Sequence, residues 1–282
     1  MAQRRRRTAQ DISEDSVNNS AKTSAKTSAK TSANTSTKTI TAKIRPKKAR
    51  LSMNKPIDPE AYAADLASLL RAHAHPAEAV RMAAYMKNRY PFFGIKSPAR
   101  EALTRQFAAE RGIPEGDALE RVVLALWAQP ERELQNVAMS LLEKRVKRAD
   151  RGQADLLERL IADKSWWDTV DMLAGKLAGT LFAKYPDLIP AYPDRWILSD
   201  NLWLRRSALL FQLSYRERTD TERLFRYIRL CAGEADFFIR KAIGWALRQY
   251  ARTDADAVRA FVRDTPLSPL SVREALKRIG SD

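Results

Sequence analysis

The sequence predicts an all-α fold, a superhelical stack of antiparallel helix pairs curved into a solenoid. Three observations carry that expectation. From about residue 57 onward alanine, leucine, arginine and glutamate dominate, glycine is sparse, and no stretch alternates apolar and polar residues as a strand does. Prolines at 76, 98, 114, 130, 186, 193, 266 and 269 punctuate the region, whose helical segments are expected to run about 10–18 residues, the length of ordinary helices. Tryptophans 127, 167, 203 and 245 recur at intervals of 40, 36 and 42 residues, in the range of repeats made of one helical pair each. Such stacks present a concave surface assembled from one face of successive helices.

Two regions follow from composition, a tail over residues 1–52 and a helical domain over 53–282. The tail carries Lys-Thr-Ser-Ala repeats between Ala21 and Ala33, basic clusters at Arg4–Arg7 and Lys43–Arg50, and few large apolar groups. It cannot bury enough surface to offset chain entropy and is expected to be disordered. It reads as a solvated leader or as a polyelectrolyte arm that grips phosphates without sequence preference; a transit peptide is a third reading, weakened by Asp11, Glu14 and Asp15. The formal charge is +16. Residues 1–50 hold 13 Lys/Arg against 3 Asp/Glu and the remainder 37 against 31, so a basic patch in the domain depends on arrangement. The balance favours a polyanionic partner.

The single cysteine, Cys231, excludes an internal disulfide and lies among apolar neighbours, as a buried small side chain would. His73 and His75 point apart on a helix and have no cysteine pair beside them, so no metal site is expected. No run approaches the ~20 apolar residues of a membrane span, and Arg4–Arg7 lead into polar residues rather than a secretory core. The expected setting is the cytoplasm of a bacterium, at the nucleoid, with organellar or nuclear targeting by the tail as the alternative.

Four segments carry chemistry. Arg81, Tyr85 and Arg89 fall at i, i+4 and i+8, followed by a Pro91-Phe92-Phe93-Gly94-Ile95 turn that reads more simply as loop packing. Next, Ser165-Trp166-Trp167-Asp168 resembles an N-cap with a carboxylate in the first turn, which explains Asp168. Asp171 lies beyond that turn, about 40° from Trp167, above the small residues Ala174, Gly175 and Ala178, while Val170, Leu173, Leu177 and Leu181 supply the core stripe. The pair is either a cleft over a floor of small residues or a helix-packing groove with Asp171 in an ion pair. Third, Arg206 projects among Leu202, Leu209, Leu210 and Leu213 and needs a partner, either an internal carboxylate or a phosphate gripped bidentately. Finally, Phe237, Lys241, Gly244, Trp245 and Arg248 share one side of a helix, as a nucleic-acid backbone passing close would require. A solvated amphipathic face with one snorkelling lysine competes.

Together these segments resemble the AlkD-like DNA alkylation repair glycosylases, a family built from HEAT-like helical repeats. The resemblance rests on Tyr85-Met86-Lys87-Asn88 with Pro91–Ile95, Lys164–Asp171, Ser199-Asp200-Asn201 with Trp203–Arg206, Phe211-Gln212-Leu213, Phe237–Trp245, and Leu267–Ser271 leading to Arg273-Glu274-Ala275. It runs in order from about residue 60 to the C-terminus. It implies a concave DNA-binding face and excision of cationic N3- or N7-alkylated purines from double-stranded DNA. It places Trp167, Asp171 and Trp245 at the lesion nucleotide, Arg206 on the backbone and Tyr85 on the DNA face. No lysine falls on the Trp167/Asp171 face, so hydrolysis without a Schiff-base lyase step is expected; no cofactor, no metal, no membrane and a monomeric protein complete the expectation. The alternative is a non-catalytic repeat protein that binds bent, branched or damaged DNA.

Overall fold

The computed structural model describes residues 57–277, and every regular element among them is helical. The expected arm, residues 1–52, lies outside the described residues. In chain order the helices are α1 (Pro59–Ala72), α2 (Pro76–Tyr85), α3 (Ser97–Arg111), α4 (Gly116–Ala128), α5 (Arg132–Arg145), α6 (Gln153–Ala162), α7 (Trp167–Met172), α8 (Gly179–Lys184), α9 (Pro193–Trp196), α10 (Leu202–Leu210), α11 (Thr221–Cys231), α12 (Phe237–Tyr250), α13 (Ala255–Asp264) and α14 (Pro269–Leu276). A π-helical turn over Leu173–Ala178 joins α7 to α8 without a break.

Short polar side chains set the helix starts. Asp58, Asn201, Asp220, Asp236, Asp254 and Ser268 each accept from backbone amides of the turn they begin, satisfying donors that a helix leaves unpaired. Pro59, Pro76, Pro98, Pro193 and Pro269 occupy first-turn positions where no amide is needed. The start of α7 differs from its expectation. Ser165 caps nothing; its hydroxyl donates to Ile161 O at 2.6 Å, and Trp166 takes the cap position.

The helices pack as a stack, with α1 on α4, α4 on α5, the α7 segment on α6 and α10, α10 on α12, and α12 on α14. One apolar core runs through it, with Leu66, Leu126, Val137, Phe182, Phe211 and Ile243 buried. The result is an all-α solenoid, as the spacing of tryptophans and prolines predicts. Its period also shows in polar ties between successive layers. Arg132 binds Asp168 and Arg151 binds Asp187, each 36 residues on; Glu158 meets Arg195 after 37, and Asp171 meets Arg206 after 35.

Val170, Leu173, Leu177 and Leu181 are buried as expected, but so are Ala174 and Ala178. A Cβ on Gly179 would collide with Phe211 O, and one on Gly175 would press on Leu213 Cδ1 at 3.2 Å. The small residues therefore admit the C-terminal end of α10 and do not form an open floor beneath Trp167. Cys231 is buried, and burial pushes its thiol up to about 11. Among the described residues, no cluster of three or more His, Cys, Asp or Glu could hold a metal, and no helix is long and apolar enough to cross a membrane.

Candidate active site

The loop that delivers Trp166 and Trp167 is clamped from two sides. Lys164 adopts a left-handed conformation, φ 47°, which costs a side-chain-bearing residue about 1–2 kcal/mol. Its ammonium compensates by donating to Trp127 O, Ala128 O and Gln129 O at 2.6, 2.9 and 2.7 Å, capping the C-terminal end of α4. Arg132, fully buried at the start of α5, grips Asp168 with Nε and Nη2 at 2.9 and 2.7 Å. The same guanidinium donates to Lys164 O at 2.8 Å and to Thr169 Oγ1 at 2.9 Å, and it stacks 4.1 Å over the Tyr90 ring. Asp168 is thus structural, through Arg132 and not through the cap expected from sequence.

The Pro91–Ile95 turn belongs to the same scaffold. Buried Glu133 accepts from the amides of Phe93, Gly94 and Ile95 at 3.1, 2.9 and 3.0 Å. Gly94 has φ 89°, and a Cβ there would collide with backbone atoms of His75 and Ala79, so no other residue fits. The turn packs a loop, the simpler of its two readings.

Asp171 is held in the same manner as Asp168. Arg206 donates from Nε to Asp171 Oδ1 at 2.7 Å and from Nη2 to Oδ2 at 2.9 Å, while its Nη1 reaches Phe238 O. The arginine side chain has 0% exposure and the aspartate 15%. Burial pushes the Asp171 carboxyl above the usual carboxylate range, and the charge and hydrogen bonds of Arg206 oppose that push. Each carboxylate oxygen spends one lone pair on the fork and keeps another for a donor arriving from solvent.

This geometry corrects the assignment of Arg206 to the DNA backbone. With no exposed side-chain surface and three groups committed inside the protein, it cannot reach a phosphate; its partner is the internal carboxylate. Lys241, Gly244 and Arg248 are corrected for a related reason. Lys241 is 2% exposed and ion-paired with Glu274 at 3.1 Å, and Arg248 binds the other oxygen of Glu274. Burial would raise the Glu274 carboxyl, but hydrogen bonds and charge from Arg248 and Lys241 hold it below its ordinary value. A Cβ on Gly244 would collide with Glu274 Cβ. On the side of α12 expected to face DNA, these three residues instead form a polar seam with α14, while Phe237 and Trp245 stay outside it.

The other site residues remain accessible. Tyr85 is 46% exposed and meets the Trp167 ring edge to face at 6.3 Å. Arg81 is exposed and pairs with Glu78 at 2.8 Å. Arg89 is exposed and lies 4.1 Å over the Trp166 ring, and Trp166 packs on Trp203 and Phe238 at 5.6 and 4.9 Å. Phe237 and Trp245 are half-buried on α12. Beside Trp167 opens a cleft of about 310 Å³ whose lining includes Arg81, Tyr85, Arg100, Asn136, Trp167 and Asp168; Asp171 is not part of that lining.

Arg100, Arg132 and Glu133 were missed by sequence reasoning. A signal for Arg132 exists in the chain: it precedes Asp168 by the same interval that joins other acid–base pairs across the stack. Arg100, in Ser-Pro-Ala-Arg, reads only as a helix start.

The family model for the DNA alkylation repair enzyme matches residues 66–279. No curated protein matches this chain. A solved structure, the "Predicted DNA alkylation repair enzyme from Enterococcus faecalis", is 33% identical, with a TM-score of 0.70, over 74% of this chain and 98% of that chain.

Proposed function

Because this chain belongs to the DNA alkylation repair enzyme family, we propose that it is a monofunctional DNA glycosylase that hydrolyses the N-glycosidic bond of cationic N3- or N7-alkylated purines in duplex DNA. Such a base already carries positive charge. When the bond from N9 to C1′ breaks, its electron pair neutralises the purine, which leaves without a general acid. The positive charge passes to the deoxyribose as an oxocarbenium ion. Water then adds at C1′ and gives up a proton, leaving an abasic site.

Asp171 stabilises the developing charge and accepts a hydrogen bond from the attacking water through the lone pairs that Arg206 leaves open. Arg206 is a positioning residue: it keeps a desolvated carboxylate ionised and fixes its plane. Trp167, with Tyr85 edge-on to it, and Trp245 offer π faces to the electron-poor sugar and the strand. Lys164 is spoken for by three carbonyls, and Lys176 pairs with Glu143 at 3.6 Å. Lys164 is thereby withheld from Schiff-base formation, which supports hydrolysis without strand cleavage.

The observation that carries this reading is the buried Asp171–Arg206 pair, 15% open on its carboxylate side, one turn from Trp167. The deciding measurement is release of 7-methylguanine from methylated duplex DNA by wild type and by Asp171→Asn. Release by wild type and a large loss in the variant support it. Equal rates remove Asp171 from the mechanism, and no release by wild type, with tighter DNA binding by Asp171→Ala, favours the non-catalytic DNA-binding alternative.

A further inference from the structure

The guanidinium of Arg100 has no hydrogen bond or ion pair within the described residues, although it is only half-exposed and lines the cleft beside Trp167. Burial disfavours its charged form, with Glu101, Glu133 and Asp168 opposing that effect from a distance. Of these three carboxylates, exposed Glu101 makes no hydrogen bond or ion pair with it, and the other two are already engaged. Asp168 is gripped through both oxygens by Arg132, and Glu133 accepts from three backbone amides. An arginine half-withdrawn from water with five donors unused inside the protein is costly to maintain, and no carboxylate among the described residues binds it.

The geometry points to Arg100 as the anchor for one DNA phosphodiester, bound in the Tyr85–Trp167 cleft. A phosphate offers two non-bridging oxygens in the plane that the guanidinium fork matches. The Asn136 side chain lines the same space. It uses one amide hydrogen on Arg132 O at 3.0 Å and has a second to give. Arg81 stands at the rim, exposed. Phosphates recur about every 3.4 Å of helix axis along each strand, so a strand that presents a sugar to Trp167 carries its neighbouring phosphates along the cleft that Arg100 also lines. The site takes over the role that the buried Arg206 cannot fill.

The inference rests on DNA being the partner, as in the proposed function, but not on glycosylase chemistry, and its test separates the two. Arg100→Met keeps the apolar stem and removes the donors. Binding to an undamaged duplex across a salt series is expected to weaken about tenfold, with the log–log slope shallower by about one. Thermal stability should be unchanged or raised, because no internal partner is lost. A second measurement uses a duplex with one tetrahydrofuran abasic-site analogue to fix the register and single neutral methylphosphonate linkages around it. Wild type should lose about tenfold in affinity at one linkage, and Arg100→Met should lose nothing more at that linkage. Unchanged affinity and slope overturn the assignment, as do additive losses at every linkage or a lowered melting temperature in the variant. Failure of wild type to release 7-methylguanine overturns the glycosylase reading alone.

Discussion

Asp168 and Asp171 stand one turn apart on the same short helix, and their grips match. Arg132 reaches Asp168 at 2.7 and 2.9 Å, and Arg206 reaches Asp171 at the same two distances. Both arginine side chains are fully buried, and both aspartates are equally open. The pair distances therefore cannot say which carboxylate is structural and which reactive. The difference lies in the third bond of each guanidinium. Arg132 turns back to Lys164 O and Thr169 Oγ1 and closes the loop onto its own helix. Arg206 turns forward to Phe238 O and joins α7 to the start of α12. One pair shapes the loop that carries the tryptophans; the other fixes a carboxylate between the two helices that carry Trp167 and Trp245.

Substitutions at the two pairs can sharpen or break that contrast. Asp171→Asn is expected to lower single-turnover excision by about 10²–10³, while Asp168→Asn changes the rate per folded molecule by less than tenfold. Equal losses at the two positions would erase the distinction. Arg132→Met leaves a carboxylate without its counter-charge and should cost about 3 kcal/mol in urea unfolding, with the excision rate of the folded fraction largely kept.

The pH profile comes next. Because burial raises the Asp171 carboxyl, excision should fall about tenfold per unit on the acid side, with a midpoint above the ordinary carboxylate value. The same shift means the native state holds this proton more tightly than the unfolded chain. Its ionisation thus costs stability above the raised value, and the cost vanishes as pH falls below the unfolded one. A profile flat down to the usual carboxylate range would contradict the shift. The smallest effect is at the loop clamp: Lys164→Met should lose about 1 kcal/mol in the same urea assay, without a change in the acid midpoint.

Much of this was legible in the sequence where local rules apply. Asp58, Asn201, Asp236 and Ser268 mark helix starts by their own hydrogen bonds, and Val170, Leu173, Leu177 and Leu181 mark a core stripe by spacing. Trp167, Asp171 and Tyr85 were singled out from sequence, and the structure brings Tyr85 and Trp167 into contact. Direction was the part that local pattern could not supply. Arg206, Lys241 and Arg248 have the chemistry of phosphate ligands, but their partners sit 26–35 residues away on another helix. Which way a long side chain turns depends on that neighbour. Conversely, nothing in its own segment distinguishes Arg100; its interest arises from its place in the cleft beside Trp167 and from nearby carboxylates, Asp168 and Glu133, that other residues engage.

The π-helical turn at Leu173–Ala178 has a consequence for the whole segment. With i→i+5 bonding, it holds surplus backbone in mid-helix, so that the residues before and after it answer to separate angular registers. Removing one amino acid there should restore ordinary α-helical winding and leave the Leu181 and Phe182 contacts in place. It would swing Asp171 by about 100°, out of reach of its guanidinium. The offset lets the aromatic end of the segment be aimed independently of the end that seats on α10.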